Sequence, residues 1–199
     1  MSLMPAMAEP VVDATARAAL ERDTPRRALF LDRDGVVNVD HGYVHTAQET
    51  QWMPGIFELV GRAHAAGVPT IVVTNQAGIA RGYYDEAQFR AYTKWQHAQF
   101  RERGTPLLAT YFCPHHPQPG EGRQGCVCGC RKPAPGMLQA AIETFAIDPA
   151  QALLIGDKPS DIEAARSAGL AGSFLVQGTD LNDAMAWLTC REEIAKWSK

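Results

Sequence analysis

Five short apolar runs, separated by amphipathic stretches, constrain this chain more than any other feature. They are Ala28-Leu29-Phe30-Leu31, Thr70-Ile71-Val72-Val73-Thr74, Leu107–Cys113, Ala152-Leu153-Leu154-Ile155 and Ser173-Phe174-Leu175-Val176. The apolar residues are mostly consecutive rather than alternate, which suits strands covered on both faces. Between the first two runs, Ile56, Leu59, Val60 and Ala63 recur at i, i+3, i+4 and i+7 and are closed by Gly67, describing one helix face. Further helices are predicted over Asp85–Arg103, stopped by Gly104, and from Pro135 with an apolar face of Leu138, Ala141, Ile142 and Phe145. The spacing adds a short helix at Pro159–Ala168 and a last one at Leu181–Glu193. Strands alternating with helices imply an α/β fold: a Rossmann-like parallel sheet with helices on both faces, joined by right-handed crossovers.

A length of 199 residues suits one domain, read here as residues 26–199, with residues 1–25 as a peripheral segment. That segment carries a short Ala-rich helix around Thr15–Arg22, ended by Pro25. No stretch is long enough for a large separate cap domain. The net charge of −3 offers no general footprint for nucleic acid or an anionic membrane. No apolar run approaches the roughly 18 residues of a membrane span, and no signal-peptide pattern opens the chain. The expectation is therefore a cytoplasmic protein, a monomer or weak oligomer, without nucleic-acid or membrane partners.

In open parallel sheets, ligands bind beyond the carboxyl ends of the strands. Asp32, Thr74, Cys113 and Asp157 stand at those ends. Asp32-Arg33-Asp34-Gly35 follows the first strand, and a turn at Gly35 can aim the two carboxylates differently. One can then serve as nucleophile and metal ligand while the other moves protons. Thr74-Asn75 offers a hydroxyl and backbone N–H groups to a phosphoryl oxygen, and Lys132, ahead of Pro133, offers a cation. Gly156-Asp157-Lys158-Pro159-Ser160-Asp161 ends the fourth strand with carboxylates suited to a hard cation such as Mg²⁺. Each element alone has a plain structural use as a turn, a strand end, a surface cation or a helix cap. Their order along one sheet is what points to phosphoryl chemistry. A receiver domain uses the same residue types, but here the nucleophile candidate comes first and the metal carboxylate last.

These four motifs, from Leu29–Gly35 to Gly156–Asp161, resemble those of the haloacid dehalogenase superfamily of phosphohydrolases. The resemblance implies that Asp32 attacks phosphorus and forms an aspartyl-phosphate. Asp34 would protonate the leaving group and then activate water, and Thr74 and Lys132 would stabilise the phosphoryl group. Mg²⁺ would be held by the Asp32 side chain, the Asp34 backbone carbonyl and Asp157.

The segment Pro114–Gly136 holds five of the 13 prolines and five of the 17 glycines, too irregular for a long helix or strand. A loop of this length needs its own organiser. Cys113-Pro114-His115 and Cys128-Gly129-Cys130 supply three thiolates and an imidazole, a closed tetrahedral set for a structural Zn²⁺. A disulfide or unrelated thiols would be the alternatives, and Cys126 and His116 are competing ligands close by. Cys190, far off in a helical stretch, reads as a buried thiol.

Together the loop and the acidic motifs resemble a zinc-bearing branch of the superfamily, the D-glycero-D-manno-heptose 1,7-bisphosphate 7-phosphatases. The matching blocks are Asp32–Val44, Thr74–Gly82 and Cys130-Arg131-Lys132-Pro133. The resemblance places zinc on Cys113, His115, Cys128 and Cys130, leaving Cys126 as a departure. Asp40, His41, Gly42 and Tyr43 would contact the sugar, as would Asn75, Gln76 and Ala77, with Ala77 standing where Ser is commoner. Arg131 and Lys158 would assist recognition, Arg131 forking onto the second phosphate. The implied activity is removal of the C7 phosphate of a small sugar bisphosphate in nucleotide-activated heptose and lipopolysaccharide precursor synthesis. Histidinol-phosphate phosphatases share both motifs and are the nearest alternative. A zinc-stabilised interaction module without activity is the other.

Overall fold

The computed structural model describes residues 6–20, 26–118 and 126–190. Its elements run β1 (Val11–Val12), α1 (Ala14–Ala18), β2 (Arg26–Leu31), α2 (Ile56–Ala65), β3 (Thr70–Asn75), α3 (Ala77–Ala80) and α4 (Glu86–Glu102). The second half continues with β4 (Ala109–Cys113), α5 (Gly136–Phe145), β5 (Ile147–Gly156), α6 (Pro159–Ser167), β6 (Gly172–Leu175) and α7 (Asn182–Cys190). The sheet order is β1-β4-β3-β2-β5-β6, parallel throughout except for β1.

Strand residues alternate between two cores because successive side chains leave opposite faces of the sheet. Leu29, Leu31, Val72, Leu153 and Ile155 pack with Ile56, Leu59, Val60 and Ala63 of α2 and with Ala184, Met185 and Leu188 of α7. Ala28, Phe30, Ile71, Val73 and Leu154 pack on the other side with Met137, Leu138 and Ala141 of α5 and Ala164 and Ala165 of α6. The consecutive apolar runs thus reflect burial on both faces, as expected. Among the described residues nothing forms a separate cap domain.

The chain winds outward through β2, β3 and β4, then returns to place β5 and β6 on the other side of β2. This reversal is the topological switch point at which such sheets open a crevice. Leu31 pairs in register with Val72 and Ile155, and Asn75 with Cys113. The residues just beyond these four strand ends are therefore neighbours, although they come from distant parts of the chain.

Two local features depart from the sequence expectation, and a third lies beyond the described residues. The N-terminal helix is Ala14–Ala18, preceded by a strand, and residues 21–25 lie outside the described residues. Val11 and Val12 pair antiparallel with Thr110 and Ala109. Buried Asp13 caps α1 by accepting from the Ala16 N–H at 2.9 Å and pairs with Arg101 of α4 at 2.6 Å. Two apolar residues are too few for a periodic signal. Strand β5 begins at Ile147, five residues early, because the polar start Asp148-Pro149-Ala150-Gln151 masks it; the register with β2 shifts there, between Arg26 and Ala28. The predicted end of α7 beyond Cys190 lies outside the described residues, as does the Cys190 side chain.

Candidate active site

Asp32 leaves the end of β2 and is 5% exposed. Its Oδ1 lies 2.8 Å from the Lys132 ammonium, which also meets Asp161 Oδ1 at 2.6 Å and donates to the Val73 carbonyl at 2.8 Å. Burial would lower the Lys132 pKa, but Asp32 and Asp161 outweigh it and raise it, so the ammonium stays charged. Both ends of the Asn75 amide grip the Lys132 backbone, each at 3.0 Å. The Asn75 side chain thus fixes Lys132.

Carboxylate oxygens of Asp32, Asp157 and Asp161 lie within 4.8 Å of one another. Burial, then the nearby Asp32 charge, pushes the Asp157 carboxyl up to about 7. Its Oδ1 is buried with no hydrogen-bond partner. An orphaned, repelled carboxylate oxygen of this kind fits a divalent cation, which would satisfy it. The motif at Gly156–Asp161 therefore contributes two carboxylates to the cluster. Asp161 also accepts from the Lys158 N–H at 2.9 Å, joining the start of α6 to the site.

Gly35 makes the approach possible. It has φ +91°, and a Cβ there would sit 2.4 Å from Asp157 Oδ2. Gly35→Ala is expected to cost about 1–3 kcal/mol of stability and to lower turnover at least about tenfold by displacing Asp157. Thermal unfolding and phosphate release measured on the same preparation check both halves.

The Asp34 side chain stands outside the acidic cluster. Its Oδ1 accepts from Arg33 Nε and Nη2 at 3.1 and 2.8 Å and from Asn38 at 3.0 Å; its Oδ2 accepts from Arg33 Nη2 at 2.8 Å and Gln76 at 3.3 Å. Gln76 also donates to Thr74 Oγ1 at 2.7 Å and accepts from the Tyr84 hydroxyl at 2.6 Å. Sequence reasoning overlooked Arg33, Asn38 and Tyr84. An Arg between two motif acids was the available signal for the first; nothing local marked the others. Ala77 opens α3 directly after Gln76.

Beyond the acids, Asp40 accepts from the Gly42 N–H at 2.9 Å and pairs with Lys158 at 3.2 Å. Burial opposes ionisation of Asp40, but the Gly42 N–H and Lys158 hold its carboxyl below the usual range. Lys158 is also 3.5 Å from Asp157, so the loop carrying Asp40–Tyr43 reaches the acidic cluster. His41 contacts Gln51 at 3.1 Å, and Tyr43 accepts from Arg81 at 2.6 Å.

On the β4 side, Cys113, His115, Cys128 and Cys130 gather into one buried cluster. Sulfur–sulfur distances are 3.3–3.5 Å, and His115 Nδ1 lies 3.7 and 3.5 Å from Cys113 and Cys130. A tetrahedral ion with metal–sulfur bonds of about 2.3 Å would set sulfur–sulfur edges near 3.8 Å, so the set is slightly contracted but correctly shaped. Hydrogen bonding with Cys113 pushes the Cys130 thiol down to about 5, while Cys113 is raised by its bond to Cys130 and by burial. Three adjacent thiolates need a cation to coexist. Cys126 is outside the cluster, and His116 instead contacts Gln118, Nδ1 to the carbonyl at 2.7 Å. Arg131 follows directly and donates to the His115 carbonyl at 3.1 Å. Gly136, at the start of α5, donates to the Gly129 carbonyl at 3.0 Å, and a Cβ at Gly136 would overlap that oxygen.

Of this arrangement, Lys132, Asp157 and Asp161 fall within the stretch that a family model matches. The HAD-hydrolase-like family matches residues 129–191. A D-glycero-alpha-D-manno-heptose-1,7-bisphosphate 7-phosphatase of Burkholderia mallei is 49% identical over 154 residues, covering 77% of this chain and 82% of the relative. The chain belongs to the heptose-1,7-bisphosphate 7-phosphatase family. A D-glycero-beta-D-manno-heptose-1,7-bisphosphate 7-phosphatase of Vibrio cholerae is 43% identical, covering 75% of this chain and 81% of its own. Among solved structures, a HAD-like protein from Mesorhizobium loti superposes with TM-score 0.79 at 33% identity, over 95% of this chain and 92% of its own. The D,D-heptose 1,7-bisphosphate phosphatase of B. bronchiseptica, complexed with magnesium and phosphate, gives TM-score 0.67 at 33% identity, over 81% and 86%. The parallel sheet expected from the strand pattern, and the HAD-like fold implied by the motif resemblance, are thus observed. Among the described residues no helix is long and apolar enough to cross a membrane.

Proposed function

We propose that this protein is a magnesium-dependent phosphatase that removes the C7 phosphate of D-glycero-D-manno-heptose 1,7-bisphosphate. The observation that carries the reading is the meeting of Asp32, Asp157 and Asp161 around the Lys132 ammonium at the switch point of the sheet. The family gives the substrate class. A carboxylate oxygen of Asp32 attacks phosphorus, and the bond from phosphorus to the sugar oxygen breaks. Asp34 gives that oxygen its proton. Water then attacks the aspartyl-phosphate, Asp34 takes the water proton, and Asp32 is regenerated as phosphate leaves. Thr74 and Lys132 meet the phosphoryl oxygens, where fixed donors matter most as charge shifts. Mg²⁺, held by Asp32, Asp157 and the Asp34 backbone carbonyl, would neutralise phosphoryl charge. Asp161 serves by orienting Lys132.

A structural Zn²⁺ on Cys113, His115, Cys128 and Cys130 would hold the backbone from which Arg131 and Lys132 project. The substrate rim is Asp40, His41, Gly42, Tyr43, Gln76, Ala77, Arg131 and Lys158. Arg131, anchored through His115, suits the distal C1 phosphate, while the primary C7 phosphate is accessible to Asp32. Binding energy at C1 should then favour the bisphosphate over a monophosphate. Arg131→Ala is expected to lose most of that preference, about tenfold in the kcat/KM ratio, while keeping activity on a small generic ester. Product identity tests the reading: phosphorus NMR should show heptose 1-phosphate from either anomer. Release from C1, or faster turnover of histidinol phosphate than of both anomers, would overturn it.

A further inference from the structure

Arg33 is 1% exposed, and burying a guanidinium is costly unless its charge is paired and its donors are used. An apolar side chain could fill the same volume without that cost. Nε and Nη2 form a fork on the Asp34 carboxylate, and the same Nη2 donates at 2.7 Å to the carbonyl of Val44, 11 residues along the chain. The guanidinium lies 5.4 Å from the ring centroids of both Phe89 and Tyr92, two aromatic surfaces that confine it. Its Nη1 is buried without a hydrogen-bond partner. Every directed contact of this cation therefore goes either to Asp34 or to the end of the loop that carries Asp40–Tyr43. A fork fixes the plane of a carboxylate, which a single point charge does not.

We propose that Arg33 is a positioning residue: its guanidinium orients Asp34 for proton transfer and ties the 40–44 loop to it, so that substrate loop and acid are set by one side chain. The inference rests on the reading of Asp34 as proton donor and acceptor. A sugar alkoxide needs the Asp34 proton in order to leave, whereas 4-nitrophenolate leaves without it. Both substrates then need Asp34 to take a proton from water when the aspartyl-phosphate is hydrolysed. Misplacing Asp34 should slow the first step for the sugar and only the second for the aryl ester.

The test compares single-turnover and burst kinetics of the full-length protein and Arg33→Lys, which keeps the charge and loses the fork. With 4-nitrophenyl phosphate, Arg33→Lys is expected to release about one equivalent of nitrophenolate rapidly and then turn over at least about tenfold more slowly than the parent. With heptose bisphosphate, the first turnover itself should slow at least about tenfold, with KM raised several-fold as the loop loosens. General damage to folding would instead lower burst amplitude and steady rate together, and that result overturns the inference. So do rates within about threefold of the parent on both substrates. Should Arg33→Lys not fold, Tyr92→Leu removes one confining ring and leaves Arg33 in place. It should give the same asymmetry of the first turnover at about threefold to tenfold, and equal slowing of the first turnover on both substrates rejects it. Asp34→Asn separates the two levels. If it turns over like the parent, the acid–base reading of Asp34 fails; if it is impaired while both other variants are not, only the role of Arg33 fails.

Discussion

Asp32→Asn is expected to lower phosphate release by roughly a thousandfold or more while leaving the protein folded. An amide is nearly isosteric with the carboxylate but is a poor nucleophile and carries no charge toward a cation. The effect on stability should be small, because two consequences oppose each other. Lys132 loses one of its two carboxylate partners, but Asp161 remains 2.6 Å away. At the same time Asp157 loses a neighbouring negative charge, which, after burial, holds its carboxyl up near 7. A melting temperature within about 4 °C of the parent, together with lost turnover, is the expected pair of results. Turnover near the parent rate would remove Asp32 as the nucleophile. Adding a chelator to the parent should stop turnover in the same assay, and Mg²⁺ should restore it.

Cys130→Ser should have the largest effect on integrity. Cys130 sits at the centre of the sulfur contacts, 3.3 Å from both Cys113 and Cys128, and is two residues from Lys132. We expect bound zinc to fall from about one per chain to near zero and the melting temperature to fall by about 10 °C or more, since metal binding is folding free energy in such loops. Turnover should drop with it, because the backbone that presents Arg131 and Lys132 loses its anchor. Cys128→Ser should behave likewise, and Cys126→Ser should keep its metal. Metal analysis of the three variants decides the ligand set. Zinc lost from Cys126→Ser but kept by Cys128→Ser would reverse the assignment.

The parallel sheet could be read from the chain because strands buried on both faces leave consecutive apolar residues, as in Ala28–Leu31 of β2 and Ile71–Val73 of β3. Asp32, Thr74 and Asp157 were legible for a related reason: polar residues directly after such strands fall at the crevice. Cysteine spacing similarly marked the cluster at Cys113–Cys130, although only the folded loop separates Cys128 from its competitor Cys126. The contacts around Asp34 were not legible. Asn38, Gln76 and Tyr84 converge through a turn, a strand end and the approach to α4, and no spacing records such a meeting. Asn75 was legible in part. Its place beside Thr74 suggested backbone N–H groups for a phosphoryl oxygen, and nothing in the sequence marked that its side-chain amide also grips the Lys132 backbone 57 residues away. Strand β1 was invisible because two residues cannot display a period.

That two-residue strand has a consequence for how the protein behaves in company. A parallel sheet ending at β4 would present a row of unpaired backbone donors and acceptors, the kind of edge onto which another molecule can add a strand. Val11 and Val12 occupy part of that row by pairing with Thr110 and Ala109. Because β1 is so short and runs antiparallel, it offers little template of its own. The ion pair from Asp13 to Arg101 holds this cover in place. Residues Val11–Asp13 thus shorten the edge that β4 would otherwise present to another molecule, at the end of the strands opposite the acidic cluster.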